Sequence, residues 1–165
     1  LLALSFYEQI VDEKKDTRSF LESKKAFQNI MQKYPNTDYA IDASFKIDLI
    51  NDILASKEIY IARYYFDKKK YIAAINRFRE VIEKYDTTVY VEEALYRMVE
   101  IHYILGLENE AKKYASLLGY NYQSSQWYEK SYSFFNKMYA EQALENSEKD
   151  KKSNFILRKF KSLFK

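Results

Sequence analysis

Apolar residues recur along this chain at helical spacing. In residues 17–34, Phe20, Phe27, Ile30, Met31 and Tyr34 fall along one face, and the pattern stops at Pro35-Asn36-Thr37. Residues 71–85 follow the i, i+3, i+4, i+7 rule with Tyr71, Ala74, Ile75, Phe78, Ile82 and Tyr85, while Asn76, Arg77, Arg79, Glu80, Glu83 and Lys84 lie outside the stripe. Leu95, Met98, Val99 and His102 repeat it in 91–105. Ala111, Tyr114, Ala115 and Leu118 do so in 108–118, with Gly119 suited to the C′ position. Tyr128, Tyr132, Phe135 and Tyr139 continue it in 126–139. Between 38 and 68 there is no Gly, no Pro and no turn cluster, and Ala43, Ile47, Ile50, Leu54, Ile61 and Tyr65 keep one face apolar. This predicts a single helix of roughly 45 Å, with Ala55-Ser56-Lys57 as its weakest point.

Composition narrows the fold class to all-α. Two Gly and one Pro in 165 residues supply too little turn chemistry for a sandwich, a barrel or a βαβ fold. At 47% apolar and 31% charged, the chain can build a core. Helices of about 15 residues joined by short turns suggest a repeat array. Against the tetratricopeptide template, with Asp86 at the terminal Pro position, Ala74 and Phe78 take the Ala and Phe positions of helix B, and Ala62 and Tyr65 take the Gly and Tyr positions of helix A. A later copy places Leu95, Met98, Val99 and His102 on helix A and Ala111 and Ala115 on helix B. Small residues let two helices approach, and an aromatic ring fills the notch. The predicted architecture is a tetratricopeptide-like α-solenoid of antiparallel helix pairs with one long fused helix over about 38–68.

Candidate chemistry is sparse. With no Cys, a thiol nucleophile and a Cys-ligated metal are excluded, and one His cannot supply a multi-His metal site. Gly106 and Gly119 alone write no phosphate loop. No acid, base and nucleophile assemble, so the expectation is a protein without catalysis, metal or cofactor. His102 lies on an apolar stripe and reads as a packing residue. Glu92 and Glu93 read as first-turn complements to a helix dipole rather than an acid/base dyad.

Charge divides the chain. Residues 149–165 hold seven basic residues and one acidic, a charge of +6, whereas the whole chain carries +3, so residues 1–148 sum to −3. A mildly acidic body argues against nucleic acid as a partner. Residues 1–140 form the predicted array, 141–152 a polar linker, and 153–165 a basic amphipathic helix. There Ile156, Leu157, Phe160, Leu163 and Phe164 share an arc of about 120° that excludes Arg158, Lys159, Lys161 and Lys165. Phe160, Leu163, Phe164, Arg158 and Lys161 are its candidate contacts. Such a segment can lie on an anionic membrane surface, dock in a partner groove, or cap the array. The chain opens on Leu1 in an apolar run, as expected of a piece of a longer protein with any leader or lipid anchor upstream.

Particular runs carry a family resemblance. Tyr34-Pro35-Asn36-Thr37-Asp38-Tyr39-Ala40 with Asp42-Ala43, Ala62-Arg63-Tyr64-Tyr65, Tyr71 to Phe78, Tyr85-Asp86-Thr87 and Glu92 to Glu100 resemble the BamD family. These are the tetratricopeptide lipoproteins of the bacterial outer-membrane β-barrel assembly machine. The likeness covers roughly residues 1–139 and matches the C-terminal half of the family. The 51-residue spacing from Pro35 to Asp86 resembles the family's fused long helix. The resemblance implies a scaffold at the periplasmic face of the outer membrane that docks on a POTRA domain of the barrel subunit, BamA, with other lipoproteins of the machine as further partners. Arg77 stands where the family's arginine pairs with a BamA carboxylate, and Tyr64 where a contact tyrosine lies. Lys70 replaces the family's turn Gly, and Asp86 the Pro of its YPDT turn. The residues taken without the resemblance leave open a generic tetratricopeptide adaptor that binds peptides in a concave groove.

Overall fold

The computed structural model describes residues 17–137, and all regular structure among them is helical. The helices are α1 (Arg18–Lys33), α2 (Asp38–Asp67), α3 (Tyr71–Lys84), α4 (Tyr90–Ile104) and α5 (Glu108–Asn121), with α6 over residues 126–137. From α1 to α5 each helix packs on its chain neighbours, and α2 also touches α4. That pattern is an α-solenoid of tetratricopeptide-like pairs. The polar linker, the basic tail and Tyr139 lie outside the described residues.

The turn before α2 is written by its residues. Thr37 is extended and caps the helix: its Oγ1 accepts from the Ala40 amide at 3.4 Å and donates to the Tyr34 carbonyl at 2.8 Å. Asp38 follows in the first turn, where a carboxylate complements the helix dipole. From there α2 runs 30 residues without a break. At its expected weak point, the Ser56 hydroxyl folds back onto the Ile53 carbonyl at 2.9 Å, and the helix continues.

One helix serves two repeats because its buried face rotates. Ala40, Ala43, Ile50 and Leu54 are buried in its first part, where α1 supplies Phe20 and Phe27. Ala55, Ile59 and Ala62 are buried in its second, against Ala74 and Phe78 of α3. Of the small residues at the template positions, Ala62, Ala74 and Ala111 are fully buried, as is Phe78, whereas Ala115 is only half-buried.

Three local expectations need correction. Gly119 is not a C′ residue; α5 continues through it to Asn121, and a Cβ there would sit 2.9 Å from the Tyr128 ring. Its smallness admits α6 rather than ending α5. Tyr132 is exposed, and neighbouring Ser131 takes the buried place. Ala115, expected at a close-packed position, is only half-buried, and the α2–α3 turn takes its left-handed step at Lys69 (φ 58°) while Lys70 leads into α3 at φ −85°.

Candidate partner-docking surface

Arg77 and Tyr64 arrive from consecutive helices. Arg77 is on α3, one residue before Phe78, so burying the phenylalanine turns the arginine outward. Its Nη1 donates to Glu58 Oε2 at 3.1 Å, across to α2, and the side chain remains 45% exposed. Glu58 is the more buried partner, at 18%. The contact engages one guanidinium donor and orients a planar group that has five. Together with Tyr65, Ala73, Asn76 and Glu80, Arg77 lines a surface hollow of about 260 Å³.

Tyr64 is 56% exposed on α2. Its ring stands edge-on to Tyr65 at 5.8 Å, and Lys68 Nζ lies 5.9 Å from its centre. Tyr65 therefore joins the two candidates, lining the hollow beside Arg77 and holding the Tyr64 ring. An exposed tyrosine ring costs little to immobilise and presents both an apolar face and a hydroxyl.

A second ionic cluster ties α2 to α4. Glu93 is buried in the first turn of α4 and receives Arg63 of α2 through two hydrogen bonds, Nε to Oε1 at 2.6 Å and Nη2 to Oε2. Hydrogen bonding to Glu93 holds the Arg63 guanidinium above its ordinary pKa. Arg97 Nη1 donates to Glu100 at 2.6 Å, and its guanidinium lies 5.0 Å from the Phe66 ring. Arg97 Nε is buried without a hydrogen bond, 4.0 Å from Glu93 Oε1. Glu92 accepts from Ser125 Oγ and ties α4 to the start of α6. These carboxylates do sit in the first turn of α4, but they also act as cross-helix ties, which chain order could not show. Tyr96 donates to Glu100 at 3.1 Å, and its phenol is pushed up to about 12, first by burial and then by the Glu100 charge.

His102 is a packing residue. It is buried, its Nδ1 lies 2.7 Å from the Met98 carbonyl, and its ring packs against Tyr114 at 5.1 Å. Among the described residues, no helix is long and apolar enough to cross a membrane.

A stack of helix pairs with an oriented arginine and exposed rings on one edge, tied across helices by an ion pair to the buried Glu93, is a helical-repeat scaffold that presents a surface. The chain belongs to the YfiO family of outer membrane lipoproteins, whose family model matches residues 1–118. It is 56% identical over 133 residues to the outer membrane protein assembly factor BamD of Rickettsia prowazekii (strain Madrid E), an overlap of 80% of this chain and 53% of that relative. It is 43% identical over 136 residues to the BamD of Caulobacter vibrioides, covering 82% of this chain and 45% of the relative. With the BamD of Neisseria gonorrhoeae it shares 40% identity over 81 residues, 49% of this chain and 30% of the relative. The chain spans about half the length of the first two of these relatives.

Proposed function

We propose that this chain is a non-catalytic scaffold in outer-membrane protein assembly, and that it docks through the Arg77 edge on a POTRA domain of a BamA-like barrel subunit. The observation that carries the reading is the state of Arg77 in a chain of this family: oriented by Glu58, beside a hollow, and still half exposed. A partner carboxylate can take the remaining donors while Glu58 keeps the group aligned, which lowers the entropy lost on binding. Tyr64 and Tyr65 supply the apolar area that surrounds such a contact and excludes water from it. The scaffold would work at the periplasmic face of the outer membrane, where further lipoproteins of the machine are its other partners. Co-purification tests the reading. The full chain, expressed with a BamA-like subunit, should be retained with it through washing, and Arg77→Glu should reduce the recovery several-fold. Equal recovery of wild type and variant would remove the Arg77 edge from the interface.

A further inference from the structure

The first half of α2 carries a second apolar stripe that no helix among the described residues covers. Ile41, Phe45 and Leu49 follow i, i+4, i+8 spacing and are 58%, 68% and 44% exposed. Beside them a groove of about 320 Å³ is lined by Met31, Pro35, Ala40, Ile41, Ser44 and Phe45. Within residues 38–52, an arc of about 120° at 100° per residue contains those three residues and Asp38, Asp42, Asp48 and Asp52. No basic residue falls inside that arc. Asp42 and Asp48 edge the stripe, Asp38 and Asp52 lie at its two ends, and Lys46 is the one cation close by, so the face as a whole is apolar and acidic and suits a basic amphipathic helix.

We infer that this face docks the chain's own basic tail, residues 153–165. The tail carries the complementary pattern. Ile156, Phe160 and Phe164 repeat the i, i+4, i+8 spacing of Ile41, Phe45 and Leu49. Lys159 and Lys161 flank its apolar arc on either side, with Arg158 and Lys165 further round the helix. The +6 of residues 149–165 meets the acidic part of a body that sums to −3. Fifteen residues separate the last described residue, 137, from the tail, a reach of up to about 50 Å, comparable to the length of α2. An anionic bilayer would attract the tail but would be repelled by the four aspartates, so it cannot cover both surfaces. The inference is independent of the docking proposed for Arg77, which lies on a different helix.

Hydrogen exchange on the full chain, free of lipid, tests it. Amides of 153–165 should exchange at least tenfold more slowly than in Asp42→Lys/Asp48→Lys, while the buried amides of α3 report that the variant is folded. The milder Asp42→Asn/Asp48→Asn should give an intermediate rate. Adding Lys159→Glu/Lys161→Glu to the Lys variant should restore slow exchange. A tail that exchanges at the unprotected rate in the wild type would overturn the inference. So would protection indifferent to the aspartates, protection that grows with protein concentration, or protection that needs phosphatidylglycerol vesicles. These outcomes would place the tail elsewhere on the body, on a second copy, or on a lipid surface.

Discussion

Phe78 shows how one residue's role follows from its neighbours. Its ring is fully buried in the shared core of the helix stack, so Phe78→Ala removes a large side chain from a site that rigid helices close only in part. Denaturant melts should show a loss of about 3–5 kcal/mol. A loss below about 1 kcal/mol would mean that the site collapses freely. Lys69 gives the opposite sign. Its left-handed backbone costs a residue with a Cβ roughly 1–2 kcal/mol, part of which glycine returns through its greater unfolded-state freedom. Lys69→Gly should therefore raise stability, by up to about 1 kcal/mol. Tyr96 adds a pH dependence. Its folded pKa, pushed up to about 12, lies above the ordinary tyrosine value near 10, so the fold favours the neutral phenol. That contribution is complete below pH ~10 and is lost as pH rises toward ~12. Tyr96→Phe should flatten the fall in melting temperature over that window, and an unchanged profile would assign the alkaline loss to other groups. At this scale the sequence was legible where a stripe ran through a residue, as at His102 and Phe78. It was not legible where a side chain crosses to another helix. Nothing in local spacing says that Glu93 receives Arg63, thirty positions away, or that Gly119 faces Tyr128.

The elements were more legible than the residues, because helix starts and stops are local chemistry. The 38–68 helix was readable from the absence of a breaker, and Thr37-Asp38 marks its start. What the pattern concealed was its division of labour. A single apolar stripe was traced along α2, whereas its buried face rotates midway and leaves Ile41, Phe45 and Leu49 as a second stripe on the outside. A separate count of apolar positions for each half would have separated the two. The continuity of α2 is also what fixes Glu58, and with it Arg77, relative to the first repeat. Ser56→Pro would remove an i→i−4 hydrogen bond at the centre and clash with the preceding turn. A loss of about 3 kcal/mol in thermal or denaturant unfolding is expected, with the two halves losing their common transition. A cooperative transition of unchanged midpoint would mean that the helix transmits nothing between repeats.

For the whole molecule, net charge alone misleads. A value of +3 conceals an acidic body and a basic tail, and an acidic body favours protein surfaces over nucleic acid as partners. The fold class and the family were legible because a two-layer helical repeat writes its packing rules into every turn. The docking edge proposed here comes from the resemblance alone, since an arginine on a helix flank is by default a solvated charge. Its pairing with Glu58 supplies a physical reason for treating it otherwise. Docking of this scaffold through Arg77 can be measured by calorimetric titration of the full chain with a soluble POTRA fragment of a BamA-like subunit. Arg77→Glu, verified as folded by circular dichroism, should weaken binding by about 2–5 kcal/mol, because it sets a like charge against the facing carboxylate. Replacing that carboxylate with Lys should restore much of the loss. Equal affinity of the wild type and Arg77→Glu would contradict the account.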